Sequence, residues 1–217
     1  MQLVIGNKNY SSWSLRAWLM ASKAKLNFEE ILLPLDTEEF YNKIVKYNPA
    51  AKVPVLIDGE VTVWDSLAIC EYINDTYLGG HALPKSPIDK AYARSIASEM
   101  HSGFNAVRNE MPMNIRATRF VELSEQALID IKRIDDIWAK QIDNSGDAGG
   151  WLFGKWSIVD MMFAPVVMRF KTYQVKLSPS AQTYLDFVLA DPDLNTWISE
   201  AVKETQIVEL DEAGSDV

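Results

Sequence analysis

The stretch from Lys52 to Ser66 constrains this chain more than any other. Val55–Ile57 and Val61–Trp64 read as two short strands, and Asp58-Gly59 between them is a dipeptide that readily supplies the positive φ of a hairpin turn. Pro54 opens the first strand. Proline donates no ladder hydrogen bond, so it suits a strand start, or backbone offered to something other than a neighbouring strand. Asp65-Ser66 closes the second strand, and Leu67, Ala68, Ile69, Tyr72 and Ile73 follow at helical spacing.

Asp65 or Ser66 therefore sits at a helix cap, an ordinary role for both residue types. A helix start also carries free N–H groups and the positive end of a dipole, which favour a carboxylate. The Asp65 side chain beside it would accept an ammonium. Together the pair could read both charged ends of an α-amino acid.

The runs Asn48-Pro49-Ala50-Ala51-Lys52-Val53-Pro54-Val55-Leu56 and Asp65-Ser66-Leu67-Ala68-Ile69-Cys70-Glu71-Tyr72-Ile73 resemble the glutathione-binding half of the cytosolic glutathione S-transferases. The resemblance implies a cis peptide before Pro54. It implies that the Val53 backbone pairs with the cysteinyl part of glutathione, that Lys52 lies near its glycyl carboxylate, and that Asp65 and Ser66 hold its γ-glutamyl end. It also implies a homodimer.

Taken in order, Leu3–Ile5 reads as a buried strand, Gly6–Ser12 as a polar loop, and Trp13–Ala24 as a helix begun at the serines. Glu30–Leu33 is a second strand and Glu38–Val45 a second helix. The order β-α-β-α-β-β-α suits a thioredoxin-like α/β domain over residues 1–78. Residues 79–87, rich in Gly, Pro and Ser, read as a linker. From residue 88 to 217 the pattern is all-helical: a long helix over Ile88–Arg108 interrupted near Met111-Pro112, a second marked by Leu123 to Ile142, a loop over Asn144–Gly150, and a nearly all-apolar helix over Ile158–Phe170. Ser157 and Asp160 have capping-box spacing, with Trp156 and Met161 at the staple positions, which makes Asp160 a fold determinant. Pro192 and Trp197 resemble the start of the family's last helix. Glu209–Val217, acidic and small, is expected to fray.

Thiol activation falls to the first loop. A hydroxyl donor and a helix N-terminus both favour thiolate, and Ser11-Ser12 supplies both. Lowering a thiol pKa by about two units needs roughly 2.7 kcal/mol of preference for the charged form. Ser11-Ser12-Trp13-Ser14-Leu15-Arg16 resembles the Ser-Ser-Cys-x-x-Arg loop of the zeta class, whose members include maleylacetoacetate isomerases. That match assigns activation to Ser11 with Ser12 beside it; Tyr10 is a rival donor. Trp13 stands where the zeta class has cysteine, and its indole would reshape the electrophile pocket.

That pocket is expected between the two domains, lined by Trp13, His101, Phe104, Asn105 and Arg108, with Met100, Met111 and Met113 nearby. A small, largely apolar electrophile follows. Reversible addition to a conjugated double bond, giving cis–trans isomerisation, stays open, as does a non-catalytic binding protein of the same fold.

Several classes are excluded. A net charge of −9 and the lack of a basic patch argue against nucleic acid and anionic membranes. One cysteine, Cys70, permits neither an internal disulfide nor a Cys-rich metal site, and its helical position marks it as core. No cysteine occurs in the first loop, which removes thioredoxin and glutaredoxin chemistry. No Gly-x-Ser-x-Gly elbow accompanies the serines, which disfavours a serine hydrolase. No metal is expected, and a cytoplasmic location fits the single cysteine and the lack of a signal peptide or membrane-length apolar run.

Overall fold

The computed structural model describes residues 1–145 and 150–217. Its sheet contains β1 (Gln2–Ile5), β2 (Glu29–Leu32), β3 (Val55–Asp58) and β4 (Val61–Trp64), in the spatial order β2-β1-β3-β4. β1 runs parallel to β2 and antiparallel to β3, with Leu3 opposite Leu56 and Val4 opposite Val55. Leu3, Val4, Ile5, Val55 and Leu56 are all fully buried, so the two central strands carry the sheet's core. The hairpin turns one residue later than expected. Asp58 pairs with Val61, which leaves Gly59-Glu60 as the turn, and only Gly59 (φ 60°) needs a positive φ. Asp58 instead accepts from Tyr72 Oη at 2.9 Å and from Tyr77 Oη, tying the hairpin to the following helix.

The helices α1 (Ser12–Lys23), α2 (Glu38–Ile44) and α3 (Ser66–Tyr77) complete the expected βαβαββα order, within a residue or two of the expected boundaries. Thr37 caps α2 through a bond from Phe40 N–H at 3.1 Å. Cys70, on the buried face of α3, is core as expected, and burial pushes its thiol pKa up, which makes it inert.

The expected single helix over Ile88–Arg108 is two. α4 (Pro87–Ser102) ends at Gly103, and α5 (Asn105–Glu110) begins after Phe104, which lies in the left-handed region at φ 57°. A Cβ on Gly103 would stand 2.8 Å from the Glu99 carbonyl oxygen, so glycine fits the break. Arg108 folds back over it. Its guanidinium donates to the carbonyls of Met100, His101 and Gly103, acceptors that the end of α4 leaves orphaned.

α6 (Glu125–Ser145), α7 (Ile158–Thr172), α8 (Pro179–Leu189) and α9 (Pro192–Ala201) follow a two-residue strand, β5 (Arg119–Phe120). The expected loop over Asn144–Gly150 begins later, because Asn144 and Ser145 belong to α6; its residues 146–149 lie outside the described residues. α8 has no counterpart in the sequence reading. α7 is buried on every side, as its composition demands. The capping box forms: Asp160 accepts from Ser157 N–H and Ser157 Oγ, both at 2.8 Å, and also from Leu152 N–H and Tyr184 Oη. Even so, burial pushes the Asp160 carboxyl up to about 6.

The tail does not fray. Ser215–Asp216 forms β6, antiparallel to β5, and Glu209–Asp211 makes a single 3-10 turn. A buried apolar anchor, Val208, and side-chain bonds from Glu204, Gln206 and Glu212 hold it across the first loop. An acidic tail finds its partners only through this packing, because they lie more than ninety residues away in the chain.

Candidate functional site

Two clefts meet at the N-terminus of α1. The first, about 380 Å³, is lined by Trp13, Ala50, Lys52, Val53, Pro54, Trp64, Asp65 and Ser66. All five residues expected to hold glutathione are therefore brought together. The Val53–Pro54 bond is cis, as the resemblance implied. Asp65 sits at φ 74°, in the left-handed region that costs a non-glycine residue roughly 1–3 kcal/mol. Its Oδ1 offsets part of that cost by capping α3, accepting from Leu67 N–H at 2.8 Å and Ala68 N–H at 3.3 Å. Oδ2 lies 3.1 Å from His101 Nε2, with part of the carboxylate still open to solvent.

The cap consumes two donors at this helix start that the sequence reading left free for a ligand. Ser66 is left open, and its hydroxyl is buried with no hydrogen-bond partner among the described residues. An unpartnered buried hydroxyl costs about 1–3 kcal/mol. A ligand carboxylate at this helix start would satisfy it, and the neighbouring Asp65 suits an ammonium. The residues present thus fit the γ-glutamyl end of glutathione.

The second cleft, about 570 Å³, shares Trp13, Lys52 and Val53 with the first, and Ser11 and Ser12 line it. Ser11 is the N-cap of α1. Its hydroxyl accepts weakly from Ser14 N–H (3.4 Å) and donates to Ser14 Oγ (2.7 Å), which itself accepts from Gly6 N–H. Ser12 Oγ accepts from Arg169 Nη2 at 3.3 Å, and among the described residues its own proton has no acceptor. Tyr10 is engaged elsewhere: its hydroxyl donates to Glu212 Oε1 at 2.5 Å and accepts from Arg116, and burial together with the Glu212 bond raises its pKa.

Cations crowd this helix start. The guanidiniums of Arg16 and Arg108 lie over the Trp13 ring, 4.3 and 4.8 Å from its centroid, and His101 makes an edge contact with it at 5.3 Å. Arg16 is fully buried, donating Nε–H to the Met162 carbonyl at 3.1 Å, and burial and the charges of Arg108 and Arg169 hold its pKa well below the ordinary value. Burial likewise brings Arg169 down to about 10. Burial lowers the His101 pKa too, against the pull of Asp65. A thiolate formed here faces positive charge from several directions, as well as the helix dipole.

Of the residues expected to line the electrophile pocket, Trp13 and Arg108 do so. His101, Phe104 and Asn105 do not: His101 pairs with Asp65, Phe104 is buried at the α4–α5 break, and Asn105 is exposed on α5. Met100, Met111 and Met113 are core. Phe40, Tyr41, Arg169 and Asp211, none of them expected from the sequence, also line the cleft. Arg169 carried a signal, a charge in the otherwise apolar run from Met161 to Phe170. Asp211 carried none. Among the described residues no group of histidine, cysteine and carboxylate side chains is arranged to hold a metal ion, and no helix is long and apolar enough to cross a membrane.

Residues 10–76 match the family model of the glutathione S-transferase N-terminal domain. Across 197 residues the chain is 28% identical to a probable maleylacetoacetate isomerase of Caenorhabditis elegans, covering 84% of this chain and 90% of that one. The chain thus resembles the glutathione transferases, by the family model over its N-terminal domain and by this relative over most of its length. Its fold agrees. A glutathione transferase homologue from Burkholderia, solved with bound glutathione, superposes with a TM-score of 0.71 at 22% identity, over 92% of this chain and 97% of that one. A bacterial zeta-class maleyl pyruvate isomerase superposes with a TM-score of 0.69 at 17% identity, over 94% and 98% of the two chains. In this chain, then, the thioredoxin-like sheet carries the first cleft, and the helical region supplies Arg108, Arg169 and Asp211 to the second.

Proposed function

We propose that this chain is a glutathione-dependent transferase that binds glutathione along the first cleft and activates its thiol at the start of α1. The sulfur then attacks a small electrophile held in the second cleft. Asp65 and Ser66 take the γ-glutamyl ammonium and carboxylate, Val53 aligns the cysteinyl backbone ahead of Pro54, and Lys52 faces the glycyl carboxylate. Ser11 and Ser12 serve the sulfur. Ser11 acts chiefly as the cap that fixes the helix end, and Ser12, polarised by Arg169, donates to the thiolate. No triad is required.

The observation that carries this reading is the buried, unpartnered Ser66 hydroxyl in a cleft that shares Trp13, Lys52 and Val53 with the serine-lined one. Glutathione titrated calorimetrically into the native chain and into Asp65→Ala and Ser66→Ala tests it. Affinity is expected to fall at least tenfold in each, as loss of a charge-assisted hydrogen bond worth about 1.5–3 kcal/mol requires. Binding unchanged in both variants would return the pair to the role of a helix cap.

A second reading, reversible addition of sulfur to a conjugated double bond with cis–trans isomerisation, is favoured by the two isomerase relatives and by the arginines lining the cleft, which suit an acid-bearing substrate. A homodimer fits the edge position of β4 and its half-exposed Val61 and Trp64. A reducing cytoplasm is the compartment in which we place this thiol chemistry.

A further inference from the structure

We infer that Asp211 is the proton donor that completes addition of glutathione sulfur to a conjugated carbon–carbon double bond in the second cleft. The inference rests on the reading above, which puts the thiolate at Ser11-Ser12 and the electrophile beside it.

Asp211 is the one carboxylate among the described residues lining that cleft; the other charged groups there are Lys52, Arg108 and Arg169. It is held in register with the serines. Its N–H donates to the Val208 carbonyl at 2.9 Å, and its neighbour Glu212 is bonded to Tyr10 Oη and to Asn114 Nδ2, at 2.5 and 2.9 Å. Tyr10 immediately precedes Ser11, so two short links connect the carboxylate to the thiol-activating loop. The Asp211 side chain itself makes no hydrogen bond or ion pair with the described residues, which distinguishes it from Glu204 and Glu212 in the same tail. A carboxyl group fixed by its backbone, lining the cleft and free of side-chain partners is available to move a proton.

Its environment suits the task. Burial pushes its pKa up to about 6, Glu212 and Asp36 push the same way, and Arg169 opposes them. A general acid works best with a pKa near the working pH.

The step balances. The sulfur electron pair forms the C–S bond, the π pair of the double bond moves onto the α-carbon and its conjugated carbonyl as an enolate, and the Asp211 proton passes to the α-carbon. Asp211, left as the carboxylate, regains its acid form by taking the proton that the glutathione thiol gives up on ionising, so the product is the thioether and no other reactant is consumed. Displacement of chloride from an activated ring differs, since chloride leaves with the bonding pair and no carbon needs a proton.

The test compares 4-phenyl-3-buten-2-one, an addition substrate, with 1-chloro-2,4-dinitrobenzene, a substitution substrate, in the native chain, Asp211→Asn and Asp211→Glu. The expected result is that Asp211→Asn lowers the ratio of addition to substitution kcat/KM about 100-fold, the lower end of what general acid catalysis contributes. Asp211→Glu should restore much of the ratio. In the native chain the addition profile should also show a limb falling above about pH 6 that is missing in Asp211→Asn. An unchanged ratio, both rates falling together, or a native chain that displaces chloride but adds nothing to the enone would overturn the inference. A native chain that binds glutathione yet supports neither reaction would instead overturn the functional reading on which it rests.

Discussion

Replacing each first-loop serine by alanine separates two roles that are adjacent in sequence and different in space. Ser12 Oγ accepts from Arg169 and keeps its proton free, whereas the Ser11 proton is already given to Ser14. A hydrogen bond to a charged acceptor is worth about 1.5–3 kcal/mol, and about 1.36 kcal/mol corresponds to one pKa unit. Ser12→Ala should therefore raise the pKa of bound glutathione by about one to two units. Ser11→Ala should raise it by less than about half a unit, because the helix end and its dipole remain. That variant should instead cost stability at the low end of the N-cap range, about 0.5 kcal/mol, since the 3.4 Å bond to Ser14 N–H is long. The assay is thiolate absorbance of the saturated complex against pH, with a denaturant melt for stability. The reverse pattern, Ser11→Ala raising the pKa by one to two units and Ser12→Ala leaving it alone, would refute the argument from resting hydrogen bonds. It would mean that the Ser11–Ser14 bond breaks when glutathione binds.

Two further outcomes follow from the same geometry. His101 has a folded-state pKa below its unfolded value, so the folded chain takes up its proton less readily; its contribution to stability is present above about pH 6.5 and is lost as the pH falls. Melts from pH 8 to 5 should therefore show a smaller acid destabilisation in His101→Gln than in the native chain, and an equal or larger one would contradict this. Gly214 lies at φ 81°, and a Cβ there would come within 2.2 Å of the Phe120 carbonyl oxygen, so Gly214→Ala should release β6 from β5. Faster amide exchange at Phe120 and a lowered addition-to-substitution ratio, from loss of Asp211 placement, are the expected readouts; an unchanged exchange rate would sink the idea.

Short-range chemistry was legible in the sequence. The hairpin, the Asp65 and Ser157 caps and the βαβαββα order depend on residues within a few positions of each other, whose turn preferences, capping geometry and hydrophobic period act locally. That Lys52, Val53, Pro54, Asp65 and Ser66 share one cleft was legible for the same reason: Lys52 to Ser66 is one hairpin, and folding it brings both ends together. Where local preference is ambiguous, the structure departs from the expected boundaries. The turn moved to Gly59-Glu60, and the helix from residue 88 broke at Gly103, a close approach to the Glu99 carbonyl that no periodicity reports.

Beyond Trp13, Arg108 and the two serines, the lining of the second cleft was decided by tertiary structure. Arg169 reaches Ser12 across 157 positions, and Asp211 lines the cleft because Glu212 is tied to Tyr10. Nothing local to an acidic tail indicates that it will pair with β5 rather than fray. Its hydrogen-bond partners come together only once α7, α9 and the first loop have packed, and that cooperative packing of distant segments gives the second cleft its charges.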